Sequence, residues 1–270
     1  MVEVLTVRRV SVEFTARSSW WTRGGAKPAA VCAVREVSFS VAAGEALGLV
    51  GESGSGKTTT ARAILMLVRP TAGEILFLGR NLCQLPAGEI RELRSRMGIV
   101  FQDLNGALNP RLRIGAIVEE PLVVQRHLAR KDRRRRVATL LEEVGLDRAL
   151  ADRFPGELSG GQRQRASIAR AISTDPALLL ADEPVSCLDC SVQAQIINLL
   201  KTLREQRGMA MLFISHNLAV VRHLCDRVAV MYRGEIVEQG GCADILVSPK
   251  NDYTKRLLAA AMATDRGVLE

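Results

Sequence analysis

Residues 46–67 read ALGLVGESGSGKTTTARAILML, a short apolar run, a glycine-rich turn and a helix-forming segment in that order. Within it, Gly51-Glu52-Ser53-Gly54-Ser55-Gly56-Lys57-Thr58 fits G-x-x-x-x-G-K-[ST], and lies between the strand and the helix that the pattern requires. The glycines let the backbone N–H groups of the turn curl around phosphate oxygens. The helix opening at Lys57, Thr58 and Thr59 adds the positive end of its dipole. Lys57 is then placed for the β- and γ-phosphates of a nucleoside triphosphate, and the Thr58 hydroxyl for Mg²⁺. An ordinary strand-to-helix turn would need neither the lysine and threonine nor both flanks.

A second half of such a site stands at residues 178–183, LLLADE, an apolar run ending in two acids. Apolar residues suit a strand covered on both faces, and the C-terminal end of such a strand is where parallel sheets bind ligands. Asp182 is placed there to hold Mg²⁺ directly or through water. Glu183, which as its neighbour must point differently, is placed to polarise an attacking water as general base. The same pair could cap a helix, a reading weakened by Pro184 immediately after it.

Around these two anchors, short apolar runs alternate with helical patterns, which predicts an α/β fold with a parallel core sheet. The core strands are expected over residues 46–50, 98–101, 178–181 and 211–214. Residues 4–14, 36–41, 73–78 and 228–239 read as antiparallel strands forming a β-rich edge. Between 104 and 158 the sequence turns charged and helix-forming, which predicts a helical lobe inserted in the sheet domain. Trp20 and Trp21 fall in the polar stretch 16–27, expected as a loop.

With 270 residues, 47% of them hydrophobic, the chain can bury an ordinary core. Its wholly apolar stretches, such as 177–181, fall far short of the ~18 residues of a membrane-spanning helix. The N-terminal MVEVLTVRRVSVEF alternates like a strand and lacks the layout of a secretory signal, so the chain is expected in the cytoplasm. Six cysteines in such a chain favour reduced thiols; Cys187 and Cys190 form a CxxC, but no second pair completes a metal site. The net charge of +8 points to an anionic partner, much of the excess lying in RKDRRRR at 130–136. Such a tract is most often a solvated helix face, and aromatics at 4% give no stacking platform for a nucleic acid.

Leu158-Ser159-Gly160-Gly161-Gln162, followed by Arg163-Gln164-Arg165, resembles the signature motif of ATP-binding cassette (ABC) proteins, and it precedes the acid pair as in that family. The family pattern is also matched by Gln102, by Ser186-Cys187-Leu188-Asp189 and by His216. The resemblance covers essentially the whole chain. It implies a phosphate-loop NTPase fold in which residues 1–103 and 159–240 form the RecA-like and β lobe, 104–158 a helical lobe and 241–270 a C-terminal extension. It also implies that two cassettes dock head to tail, each ATP lying between one phosphate loop and the other chain's signature. Ser159, Gly160, Gly161 and Gln162 would then contact a phosphate held by a partner. By the same resemblance Gln102 senses Mg²⁺ and the water, His216 contacts the γ-phosphate, Asp189 lies at the dimer contact and Phe14 stacks on adenine. The implied partners are a second ATPase subunit, two integral membrane permeases and, indirectly, an extracytoplasmic solute-binding protein, with the chain peripheral on the cytoplasmic face of the membrane.

Finer details resemble the ATPases of dipeptide, oligopeptide and nickel importers, above all residues 182–195, DEPVSCLDCSVQAQ, and Tyr253-Thr254-Lys255-Arg256-Leu257-Leu258. Cys187, Cys190, Asn217 and Asp252 depart from the usual Ala, Val, Asp and Pro, and none removes a chemical group from the site. A soluble cassette ATPase acting on nucleic acid or ribosomes is the rival reading. It is disfavoured by the single cassette and the lack of any heptad run.

Overall fold

The computed structural model describes residues 2–15, 30–102, 104–125, 128–186 and 188–266, so Trp20, Trp21 and Cys187 lie outside the described residues. The chain opens with β1 (Glu3–Thr15), β2 (Ala30–Ala42), β3 (Ala46–Val50), α1 (Lys57–Ile64), β4 (Ala72–Phe77), β5 (Arg80–Asn81), α2 (Ala87–Arg94) and β6 (Met97–Val100). Helices α3 (Leu104–Ala107), α4 (Ile114–Gln125), α5 (Arg130–Glu143) and α6 (Gly160–Ile172) follow. Then come β7 (Leu178–Asp182), α7 (Cys190–Arg207), β8 (Ala210–Ser215), α8 (Leu218–Leu224), β9 (Arg227–Tyr232), β10 (Glu235–Gly241), α9 (Cys242–Val247) and α10 (Asp252–Arg266).

Six strands form the central sheet in the order β10-β9-β3-β8-β7-β6, and four form an antiparallel sheet in the order β2-β1-β4-β5. Along the central strands, alternate residues enter different cores. Val50, Leu179, Ala181, Met211 and Phe213 join the one built with α4 to α8, whereas Leu49, Leu178, Leu180, Leu212 and Ile214 join the one shared with α1 and the antiparallel sheet. Burial on both faces is why these strands read as unbroken apolar runs. Gly48 lies where any Cβ would stand 2.8 Å from the Val221 side chain, which lets α8 press directly on β3.

One expectation needs correction. Residues 228–239 are not an antiparallel strand alongside the core; β9 lies inside the central sheet, parallel to β3, and only β10 runs antiparallel to it. The chain reverses at Arg233 and Gly234, whose φ angles of 48° and 89° suit a tight turn between right-twisted strands. The burial of Val228, Ala229, Val230 and Met231 on both faces was hidden by the more polar alternation of β10, which follows within a few residues.

Among the described residues, 104–158 carry helices and no strand. Ile114, Val118, Leu140 and Leu141 bury against Ile168 and Ile172 of α6. The basic tract opens α5, where Arg133 pairs with Glu119 at 2.8 Å and Arg136 with Asp175 at 2.6 Å. Arg207 of α7 bridges the same Asp175 and Glu143, so part of the positive charge serves as ties between helices.

Candidate functional site

The parallel register delivers the site residues to one edge of the sheet. Val50 pairs with Ser215, Ile214 with Asp182, and Ala181 with Val100. The segments leaving β3, β8, β7 and β6 therefore emerge side by side, at the carboxyl ends where such sheets bind ligands.

From β3 the chain enters the phosphate loop. A Cβ on Gly51 would lie 2.1 Å from the Met231 carbonyl oxygen, and one on Gly56, whose φ is 107°, 2.5 Å from that of Ala33. Both contacts are with backbone, so only glycine fits. The Gly234 amide donates to the Ser55 carbonyl at 2.9 Å, tying the loop to the β9–β10 turn. Helix α1 begins at Lys57 with no side-chain cap and no acid in its first turn, so its leading amides, with Thr58 and Thr59, present unopposed positive dipole. The Lys57 ammonium is turned back onto the Gly51 and Glu52 carbonyls at 2.7 and 2.8 Å. Burial lowers its pKa, against the opposing pull of Glu183, Asp182 and Glu52.

Thr58 Oγ1 donates to Asp182 Oδ1 at 3.2 Å across the gap between the loop and β7. Burial raises the Asp182 pKa, and the Thr58 bond with nearby Arg62 and Lys57 opposes it. No group of three or more His, Cys, Asp or Glu among the described residues forms a metal cage. A hydroxyl and a carboxylate, with the Gln102 amide close by, are the sparse oxygen set that suits Mg²⁺ when phosphates and waters complete its shell. Thr58, Gln102 and Asp182 line one cavity of about 330 Å³ together with Arg62 and Arg170, two helix arginines that nothing in the sequence singled out.

Glu183 sits at φ 46°, a left-handed conformation unusual for a side-chain-bearing residue and costing on the order of 1–3 kcal/mol. Its amide donates to the Ile214 carbonyl at 2.9 Å, which locks the turn. The turn aims the carboxylate away from Asp182. Gln102 Nε2 donates to its Oε2 at 2.9 Å, and His216 Nδ1 lies 3.2 Å from its Oε1. Three residues expected to act together, from three strand ends, thus meet on one carboxylate.

The signature residues stand elsewhere. Ser159 caps α6, its hydroxyl accepting from the Gln162 amide at 3.3 Å while the Gln162 side chain accepts from the Ser159 amide at 2.9 Å, a closed capping box. Gly161 lies where a Cβ would be 2.7 Å from Val192, so the tip of α6 rests on the start of α7. Asp189 heads α7 with its side chain uncapped and exposed. Phe14 is 45% exposed and pairs with Val31, two residues along β2 from the Ala33 that touches Gly56. Asn217 accepts from the Ala219 and Val220 amides, so it caps α8 as an aspartate there would.

A phosphate cradle on one strand end and a polarising acid pair two strands away define a phosphate-loop nucleoside triphosphatase. Residues 34–186 match the family model described as ABC transporter. The chain is 47% identical over 241 residues to the oligopeptide transport ATP-binding protein OppF of Haemophilus influenzae, covering 89% of this chain and 73% of that one. It is 48% identical over 229 residues to a putative peptide import ATP-binding protein of Brucella ovis, covering 85% and 72%. Among solved structures, a dimeric ATP-binding cassette in a post-hydrolysis state bound to ADP and Pi superposes with a TM-score of 0.77 at 29% identity, covering 88% of this chain and 98% of that one. This chain belongs to the ABC transporter family, as an ATP-binding subunit whose ATP hydrolysis is coupled to transport. The rival reading, action on nucleic acid or ribosomes, finds no support in these relatives.

Proposed function

We propose that this chain is one of two ATPase subunits that drive the import of peptides, working on the cytoplasmic face of the membrane in a head-to-tail pair. The carrying observation is the division of the site: Lys57, Thr58, Asp182, Glu183, Gln102 and His216 converge at one sheet edge, while Ser159 bonds instead to Gln162 at the head of α6. The amides at the start of α6 and the Ser159 hydroxyl are suited to an anion, and a second cassette's ATP would supply a phosphate that fits them. The relatives named for peptide import support the cargo class.

In this reading Lys57 exchanges its contacts with the loop carbonyls for the β- and γ-phosphates. Thr58, Asp182 and Gln102 would hold Mg²⁺, which when bound would neutralise charge on the phosphate oxygens. Glu183 takes the proton of the attacking water, with Gln102 and His216 fixing the carboxylate from either side, and His216 Nε2 is left to face the γ-phosphate. Phe14 contributes an exposed aromatic face for adenine, and Asp189 lies at the contact between cassettes. Residues 104–158 act as the helical lobe, 1–103 with 159–240 as the nucleotide lobe and 241–270 as the extension.

No described helix is long and apolar enough to cross a membrane, and the proposed partners in the membrane are two permeases. A groove of about 380 Å³ between α2, β6, α4 and α6, lined by Arg91, Met97, Glu120 and Val124, suits docking of a permease, one on each cassette of the pair. Reconstitution with candidate permeases and their solute-binding protein in liposomes tests the whole reading. Peptide-loaded binding protein is expected to stimulate ATP hydrolysis several-fold; stimulation by DNA or RNA and not by peptide would overturn it.

A further inference from the structure

The C-terminal segment singled out by its sequence, Tyr253 to Leu258, has no part in the chemistry above, yet one of its side chains reaches the phosphate loop. The Tyr253 hydroxyl accepts a hydrogen bond from the Glu52 amide at 3.2 Å, across a sequence separation of 201 residues. Its ring lies 4.1 Å, centroid to centroid, from that of Tyr232, the last residue of β9. Arg233, the next residue, lies over the outer edge of this pair, 5.1 Å from the Tyr232 ring, and Gly234 in turn donates to Ser55 of the loop.

Tyr253 is itself held. Glu238 of β10 accepts from the Lys250 and Asn251 amides at 2.7 and 3.1 Å, and Asn251 Oδ1 accepts from the Tyr253 amide at 2.8 Å. The ring is 5% exposed, and burial keeps its phenol above the usual tyrosine range and neutral. A fixed acceptor thus meets an amide on the outer side of the loop. Glu52 also matters on its inner side, since its carbonyl is one of the two that receive Lys57.

We infer that Tyr253 is a positioning residue for nucleotide binding: its hydroxyl fixes the Glu52 peptide, and with it the curvature of the loop and the resting place of Lys57. Helix α10 is thereby a strap on the phosphate loop, and any event that moves the C-terminal extension alters ATP affinity. The inference rests on the loop being the nucleotide site. The bond of Tyr253 is to the loop backbone and not to Glu183 or His216, so the effect is expected first in nucleotide affinity.

Titration of the full-length chain with MgATP, followed by calorimetry, tests this in Tyr253→Phe, which keeps the ring against Tyr232 and removes only the hydroxyl. The dissociation constant is expected to rise about 3- to 10-fold, the effect of losing one buried hydrogen bond, with the melting temperature within ~2 °C of the parent. Unchanged affinity would overturn the inference, whether or not stability falls. Tyr253→Leu, which also removes the ring, should weaken binding further and lower the melting temperature; a loss of stability without a loss of affinity would mean that the tyrosine only packs. Lys57→Ala serves as the control: if that variant binds MgATP normally, the loop is not the nucleotide site, whereas its failure to bind beside a normal Tyr253→Phe refutes the strap alone.

Discussion

The Glu183 corner and the Ser159 cap are made of the same materials, backbone amides and a short polar side chain at the end of an element, but one is crowded and the other is alone. Glu183 has Gln102 on one oxygen and His216 on the other, with its side chain 15% exposed. Ser159 is exposed, and its polar contacts return to Gln162. A capped helix start satisfies its own leading amides. The serine hydroxyl keeps a proton to donate outward while it accepts from Gln162, since it has one donor and two lone pairs. A corner finished within the chain and a cap bonded to its own helix are what the proposed head-to-tail pairing requires.

Substitution at the crowded corner should have the largest effect. Glu183→Gln keeps the shape and the Gln102 contact but removes the base, and is expected to slow hydrolysis on the order of 10²- to 10⁴-fold, with ATP-driven pairing of chains retained in gel filtration. Near-normal turnover would remove Glu183 from the chemistry and with it the contrast. At the cap, Ser159→Ala should lower hydrolysis about 10- to 100-fold, the range for a hydrogen bond to a charged group, while leaving MgATP affinity of the unpaired chain unchanged. It should also cost ~1 kcal/mol of stability as a lost N-cap. A weaker affinity in the unpaired chain would mean that both halves act on the same nucleotide.

The smallest expected effect concerns Asp182, the neighbour of the Glu183 corner. Asp182 has its pKa raised by burial, so its charged form is disfavoured in the folded state, and the folded chain binds the proton more tightly than the unfolded one. Stability should therefore fall as pH rises above the ordinary carboxylate value, ~4. Asp182→Asn, nearly isosteric and uncharged, is expected to raise the melting temperature of the nucleotide-free chain at neutral pH and to give no advantage near pH 4. An advantage that does not shrink on acidification would show that the carboxylate is not strained by its burial.

How much of this was legible in the sequence depended on the range of each interaction. The strand–loop–helix unit around Gly51 to Thr58 and the apolar run ending at Asp182 are local patterns, and each appears where its residues predict. The family resemblance singled out Gln102 and His216, but their meeting on Glu183 is a finding of the structure, because nothing in spacing alone says that three strand ends share an edge. The parallel course of β9 was missed because one polar strand and one buried strand were read as a single alternating segment. The bond from Tyr253 to Glu52 had no local signal at all: it depends on Glu238 and Asn251 orienting a segment whose sequence shows only an aromatic near the start of a helix.

The posture of Lys57 bears on the energetics of loading. Its ammonium rests on two carbonyls of the very loop that is to receive phosphate, so the loop carries its own counterion before any guest arrives. Capture of ATP is then an exchange of partners, and the measured affinity is the difference between two well-made lysine environments. Such a site stays folded between turnovers, and its grip can be tuned by changing how comfortable the lysine is at rest, without touching a single phosphate contact.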